Sequence, residues 1–535
     1  ADLPRISHAL HLAREEFGCR CSVSARTPAL AAEQLRRDAA SLLNGLGGAR
    51  ALPRAAPPVA LLFAGHGSQS PRMGEGLYRS EPIYRGHVDR LCEALRPLLD
   101  FELREKLYPA VKGDAGVHGF VSTAPGEAAS SGGGASDASV PFDASAATAA
   151  SAAFASPLVS QPAIFVTGLA LGLTLLDLSV PSAVFGGHSL GEWVAATLAG
   201  VISEADALSL IASRAKLCVE CPEGAMLAVQ LDATRAAAIA TRHPGLHLAV
   251  ENSPERQVLA GSVDAVAACE RALTAEGVRA RRLPVNRAYH TPLMAHATRG
   301  LREAMRTVAL RPPSTPLLSN GSGGWMDPSR ATDPQYWAAH VSSPVRWREN
   351  VHALADMAES RAERRAGGPA RARGSSTAAR AAGGGSTAAS SPPTAGAPAG
   401  LLVLEGGVGG SIAPLIAQSD APGAAALRTV ALLGAAARGG SSSSEQRLAD
   451  EQPFAEALST LWQAHVPLDW RAYHRGEPAS WRTTTPIPSY PFERTVAWVN
   501  ADASMYVPST DSALADAAAQ VQALGHGAAV GSTRG

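Results

Sequence analysis

Val59-Ala60-Leu61-Leu62-Phe63 is an unbroken apolar run, followed directly by the glycine-bounded turn Gly65-His66-Gly67-Ser68-Gln69. A short apolar run without alternation fits a strand covered on both faces, as in a parallel sheet. A helical pattern near Gly76 to Tyr84 comes next. Ser182-Ala183-Val184-Phe185-Gly186, the turn after it and Glu192 to Ala199 repeat the unit of strand, glycine-flanked turn and helix. Ala163 to Leu176 is an apolar stretch bracketed by Gln161 and Asp177. At about 14 residues it falls short of the roughly 20 that cross a bilayer, which predicts a buried core helix and no membrane partner.

Residues 225–285 have a different rhythm. Ala225 to Leu231 reads as strand, Ala233 to Arg242 as helix, and His247 to Glu251 and Arg256 to Ala260 as two strands. Val263 to Ala275 reads as helix and Val278 to Val285 as a last strand. This βαββαβ order is the ferredoxin-like split unit. The expected fold is therefore α/β: an α/β-hydrolase-like parallel-sheet large subdomain with an inserted ferredoxin-like small subdomain. Tracts near 113–153, 361–400 and 435–445 are dominated by Ala, Ser and Gly, with added Pro and Arg in the second. Such compositions bury too little apolar surface to offset ordering entropy, so they are expected to be disordered surface insertions. A weakly ordered tail is expected from Ala503.

With 535 residues and 46% apolar content the chain has room for two or more domains. Its 47 basic and 47 acidic residues cancel, which gives no indication of nucleic acid or a membrane surface as partner. Cys218 and Cys221 form a lone C-x-x-C without a second pair, so no zinc site and reduced thiols are expected. The chain opens Ala-Asp-Leu-Pro without a basic and apolar succession, so a secretory signal is not expected. The missing methionine suggests a piece of a longer polypeptide. A cytoplasmic location follows as the expectation, with an organellar address left open.

Gly187-His188-Ser189-Leu190-Gly191 places a serine at a tight strand-to-helix turn, where small flanking residues leave its hydroxyl accessible. A five-residue pattern also arises by chance. A serine hydroxyl needs a base, and His290, after the last strand of the small unit, is the candidate, although a lone histidine is also a common core residue. The oxyanion needs two donors: the Leu190 N–H, and a second from the turn at His66. Gly65-His66-Gly67 also reads as a plain turn, and Ser70 in place of a third glycine excludes a dinucleotide fingerprint. Arg214 lies beside Leu208, Ile211 and Ala212 on a helix from Glu204. It is either a solvated charge or a buried fork for a carboxylate such as that of a malonyl group.

Taken together these motifs resemble the acyltransferase domain of modular polyketide and fatty-acid synthases, related to malonyl-CoA:acyl-carrier-protein transacylases. Phe63 to Gln69 resembles the family's F-x-G-Q-G-S-Q opening, with His66 in place of glutamine, and Gln161-Pro162-Ala163 its helix start. Gly187 to Gly191, Arg214, Asn252-Ser253-Pro254, Ala260-Gly261, Tyr289-His290 and Pro344-Val345-Arg346-Trp347 match further segments in order. Ser24-Ala25-Arg26 with a helix from Ala29 to Leu43 resembles the ketosynthase-to-acyltransferase linker. Val466 to Trp470 and Pro488 to Arg494 resemble the linker after the domain. The likeness covers about residues 15–500 apart from the insertions.

The resemblance implies a linker at 1–56, a large subdomain at 57–220 and 286–434, and a small subdomain at 221–285. A second linker would span 446–502 and a tail 503–535. It implies Ser189 as nucleophile, His290 as base, His66 and Leu190 as oxyanion donors, and a backbone carbonyl near His340 orienting the base. It implies Arg214, Gln161, Tyr289 and Asn252 as substrate-binding residues, with bulky Tyr289 and Leu190 favouring malonyl over methylmalonyl. The reaction would be ping-pong transfer from malonyl-CoA to the phosphopantetheine thiol of an acyl carrier protein. No cofactor or metal would be bound by the domain, and a ketosynthase would be covalently attached. Two other readings remain: a serine hydrolase or thioesterase with Asp264 as a conceivable acid, and a degenerate module that only spaces its neighbours.

Overall fold

The structure, a computed structural model, describes residues 3–18, 20–45, 56–108, 152–365, 400–407, 410–434, 443–478, 480, 481 and 485. Most of the three Ala/Ser/Gly-rich tracts, the Pro488 to Arg494 motif and the tail lie outside these residues. The elements below all belong to one unit, Asp2–Thr483.

The strands, in chain order, are β1 Val59–Phe63, β2 Ser182–Gly187, β3 Ala225–Val229, β4 Leu246–Ser253 and β5 Arg256–Gly261. They continue with β6 Ala280–Arg282, β7 Val345–Arg346, β8 Leu401–Gly406 and β9 Leu427–Ala431. One sheet is parallel, in the order β2-β1-β8-β9. All five residues of β1 are buried because strands flank it and helices cover it, which accounts for its unbroken apolar run. The helix Pro157–Asp177 packs against the helices Pro82–Leu99, Gly191–Leu198 and Glu204–Glu220. It is long and apolar enough to cross a membrane, but 89% of its apolar window is buried within the protein, as befits a core helix.

The second sheet has the order β6-β3-β5-β4-β7, antiparallel from β6 to β4 and carrying the expected βαββαβ succession. Its helices are Ala233–Arg242 and Val263–Ala275, as the pattern predicts, and they close a separate core around Leu227, Ile239, Leu259 and Val266. β7, from the later part of the chain, joins the edge of this sheet in parallel, Val250 opposite Val345. The last predicted strand, Val278 to Val285, is reduced to β6. Pro284 has no N–H to contribute, and the ladder ends just before it. The helix expected near Gly76 to Tyr84 is two helices, Glu75–Ser80 and Pro82–Leu99. Glu81 between them is extended (φ −106°, ψ 102°), the conformation that a following proline favours.

The two ends of the described chain meet. The N-terminal helix Leu3–Ala13 brings His11 onto Trp470, rings stacked 3.8 Å apart, and Arg20 Nη1 donates to the Trp462 carbonyl at 2.9 Å. The helix Ser443–Gln463 begins inside the tract expected at 435–445, and its Asp450 carboxylate accepts the Gly76 N–H at 3.0 Å.

The helix Gly191–Leu198 starts in backbone contact with the end of β1. A Cβ on Gly191 would lie 2.0 Å from the Phe63 carbonyl oxygen, and neither backbone can yield without shifting the sheet or the helix. Gly191→Ala is expected to lower stability by about 3 kcal/mol, as overpacking of a filled core does. Urea unfolding checks it as a lower midpoint at unchanged slope.

Candidate active site

Ser189 occupies the turn between β2 and the helix Gly191–Leu198, with φ of 51°, a left-handed conformation that a serine adopts only where its surroundings enforce it. Three contacts do so. The His188 N–H donates to the Phe63 carbonyl at 2.8 Å. The Ser189 N–H donates to Asn320 Oδ1 at 3.0 Å, and Asn320 Nδ2 donates to the Gly187 carbonyl at 2.7 Å. The side chain of Asn320 thus bridges the turn from beneath.

Asn320 is in turn fixed by a carboxylate. Glu192, fully buried in the first turn of the following helix, accepts from the Asn320 N–H at 2.8 Å, from Asn320 Nδ2 and from the Tyr336 hydroxyl. His340 Nε2 completes the set at 3.2 Å. The indole N–H of Trp193 can only donate, so it occupies His340 Nδ1 as acceptor and leaves the proton on Nε2, facing Glu192. Burial, reinforced by Glu192, holds the Tyr336 phenol well above its ordinary pKa, so it remains a donor.

Ser189 Oγ lies 2.7 Å from His290 Nε2, and His290 Nδ1 lies 2.9 Å from the carbonyl oxygen of Ser343. A carbonyl only accepts, so the proton sits on Nδ1 and Nε2 offers its lone pair to the serine hydroxyl. The resemblance placed the orienting carbonyl near His340, and the structure corrects this to Ser343. His340 ends the helix Pro334–Ala339, where the N–H groups of Ser342 and Ser343 turn back to the Ala339 carbonyl. The carbonyl that reaches His290 therefore emerges after that turn, and the His340 ring serves Glu192 instead. Asp264 is exposed at the start of the helix Val263–Ala275, and Nδ1 of His290 is already occupied by Ser343. The Ser-Asp-His arrangement of the hydrolase reading is not formed by this residue.

Burial pushes the His290 imidazole well below its ordinary pKa of 6.5, with repulsion from His340 and Arg214 adding to it and the Ser343 carbonyl opposing. The neutral, proton-accepting form is thereby favoured. Both Leu190, at the helix N-terminus, and His66, in the turn after β1, keep backbone N–H groups that donate to no backbone acceptor among the described residues. The His66 turn lies close to the nucleophile: a Cβ on Gly65 would be 3.0 Å from that of Ser189.

Arg214 lies in the helix Glu204–Glu220 and is fully buried. Its Nη1 donates to Gln161 Oε1, while Nε and Nη2 have no hydrogen-bond partner among the described residues. Gln161 Nε2 reaches the Tyr289 hydroxyl at 3.3 Å, so Gln161 links the guanidinium to the residue before the base. Asn252, on β4, faces the turn differently: its Oδ1 lies 2.8 Å from His188 Nε2. A cavity of about 400 Å³ between the two sheets is lined by His66, Ser189, Asn252, Tyr289 and His290, with Met226 and Val258 from the small sheet. Of the expected residues, His66, Ser189, Asn252, Tyr289 and His290 line the cavity and Leu190 follows the serine, while Gln161 and Arg214 connect to it through Tyr289, and the His340 ring stands 6.0 Å from that of His290. The structure adds Glu192, Asn320, Tyr336 and Ser343.

The profile of the acyl transferase domain family matches residues 60–362 of this chain. The chain belongs to that family. Among relatives of this acyltransferase, a phenolphthiocerol/phthiocerol polyketide synthase of Mycobacterium tuberculosis is 28% identical over 444 residues, 82% of the chain and 23% of the relative. Polyketide synthase GfsB of Streptomyces halstedii is 29% identical over 326 residues, 60% of the chain and 5% of the relative. The acyltransferase accordingly spans about a quarter or less of these synthases. Among solved structures, the acyl transferase domain of SpnD in complex with 2-(pent-4-yn-1-yl)malonyl has a TM-score of 0.61 and 28% identity, covering 88% of this chain and 90% of that one. Malonyl-CoA:acyl carrier protein transacylase of Xanthomonas oryzae shares the fold, with a TM-score of 0.52 at 22% identity over 75% of this chain and 98% of that one.

With the base held neutral by burial, the acidic limb of Ser189 acylation is expected below pH 6.5, the ordinary histidine value. A pH profile of acylation measured by intact-protein mass spectrometry checks this. A half-maximal rate at or above pH 6.5 would contradict the assignment.

Proposed function

We propose that this acyltransferase carries a malonyl group from malonyl-CoA to the phosphopantetheine thiol of an acyl carrier protein through an ester on Ser189. The observation that carries the reading is Arg214, a fully buried guanidinium with two unpartnered nitrogens and no carboxylate partner among the described residues. An uncompensated buried charge is costly, so a site built this way favours a ligand that brings the missing anion. The free carboxylate of malonyl supplies it. The complex of the SpnD domain with a substituted malonyl group adds support, since the malonyl carboxylate is common to both.

In the first half-reaction His290 Nε2 takes the Ser189 proton as Oγ attacks the thioester carbonyl. The N–H groups of Leu190 and His66 receive the developing oxyanion. The C–S bond breaks, and the CoA thiolate leaves with the proton returned by His290. In the second half-reaction the carrier thiol gives its proton to His290, its sulfur attacks the ester, and Ser189 recovers its hydroxyl. Gln161 holds Arg214, and Tyr289 occupies the space beside the acyl α-carbon, where a methyl branch would have to fit. A covalently attached ketosynthase and a cytoplasmic setting complete the proposal; the chain's partial span of its synthase relatives supports attachment to further domains.

Incubation with malonyl-CoA and a carrier protein is expected to give a malonyl ester on Ser189 and then a malonylated carrier, both read by mass spectrometry. Rapid free malonate with an unmodified carrier would overturn the transfer reading in favour of hydrolysis. Arg214→Ala is expected to lower malonyl loading about 100-fold and to shift preference toward acetyl, as loss of a charge-assisted pair does. Tyr289→Ser is expected to raise methylmalonyl loading relative to malonyl by about tenfold, the worth of room for one methyl group. Competition between the two CoA esters measures it.

A further inference from the structure

Four side-chain nitrogens near Tyr289 are buried without a hydrogen-bond partner among the described residues: Nδ1 and Nε2 of His66, and Nε and Nη2 of Arg214. The His66 ring is stacked on Tyr289, centroids 4.3 Å apart and planes inclined by 22°. The Arg214 guanidinium carbon lies 6.0 Å from the centre of the same tyrosine ring. His66 also lines the cavity that Ser189 and His290 open into. Burial, with Arg214 and His290 adding repulsion, keeps the imidazole neutral. A neutral imidazole still carries one N–H, and a buried donor without an acceptor costs most of its desolvation energy.

We propose that the His66 side chain is a second ligand for the free carboxylate of the acyl group, beside Arg214. The inference rests on the malonyl reading and deepens it. One imidazole N–H donates to a carboxylate oxygen while the unpartnered guanidinium nitrogens of Arg214 donate to the same group. The stack on Tyr289 fixes the ring plane, so the donor direction is set before substrate arrives. Glutamine, the residue of the resembling motif at this position, also carries a donor. A flexible amide would lack the stacked ring that limits its direction. His66 thereby adds to discrimination between acyl groups that end in a carboxylate and those that end in a methyl group, separately from the oxyanion role of its backbone N–H.

His66→Phe keeps a flat ring for Tyr289 and removes both nitrogens, His66→Leu removes ring and nitrogens, and His66→Gln keeps a donor. The readout is the ratio of kcat/KM for Ser189 acylation by malonyl-CoA to that by acetyl-CoA, which a purely structural loss would not move. The ratio is expected to fall about tenfold or more in the Phe and Leu variants and to stay within about threefold of wild type in the Gln variant, matching loss of one hydrogen bond to a charged group. A ratio within about threefold of wild type in the Phe variant would overturn the proposal, as would an equal fall in the Gln and Phe variants. Should the Phe variant not fold, the Leu variant decides by the same thresholds. A wild-type chain that loads no malonyl would instead overturn the transfer reading on which the proposal rests.

Discussion

A carboxylate with no access to water lies behind the nucleophile, and the site depends on how that carboxylate is satisfied. Glu192 collects the Asn320 backbone and side-chain N–H groups, the Tyr336 hydroxyl and the His340 Nε2–H. Four donors for one buried anion make a network in which each member fixes the next, because an unmatched member would be expensive. The output is delivered through Asn320, which holds the Ser189 N–H and the Gly187 carbonyl and so keeps the serine in its left-handed conformation. Backbone strain at such a residue persists only where surroundings over-determine it, and here a buried carboxylate three residues along the chain does so through Asn320.

The serine–histidine pair and the buried guanidinium differ in how far their partners complete them. His290 has a carbonyl on one nitrogen and the serine on the other, which fixes its tautomer without any acid. Arg214 has an amide on one nitrogen and, among the described residues, no partner on two others. The first arrangement is complete without substrate and the second is not. The serine–histidine pair is therefore preorganised, whereas the guanidinium keeps donor capacity that nothing in the described residues uses.

Much of this was legible in the sequence, for identifiable reasons. The strand β1 and the helix Pro157–Asp177 announce themselves because extensive burial leaves an unbroken apolar run in the first and a long, charge-free apolar stretch in the second. The helices Ala233–Arg242 and Val263–Ala275 follow from their capping residues, Asp232 and Ser262, whose side chains take the first free N–H groups. Ser189, Arg214 and His290 stand out in the sequence because each sits in a local pattern, and the structure pairs the first with the last and buries the arginine. Asn320, Tyr336 and Ser343 are not, since each acts across more than 50 residues of chain and one acts through its backbone. A carbonyl has no sequence signature, so placing it at His340 missed by the length of one turn. Glu192 had a signal that went unused: an acidic residue inside an otherwise apolar helix directly behind a nucleophile needs partners, and they must come from elsewhere.

The two-residue strand β7 is the smallest element of the fold. It pairs with β4 at Val250 and Glu251, and β4 also carries Asn252, whose oxygen meets His188 next to the nucleophile. One strand of the small sheet is thus tied both to the turn bearing the serine and to the chain two residues beyond the Ser343 carbonyl. Any sliding of that strand pulls on nucleophile and base together rather than on either alone. A bulky occupant that pried the sheets apart would therefore load both connections at once.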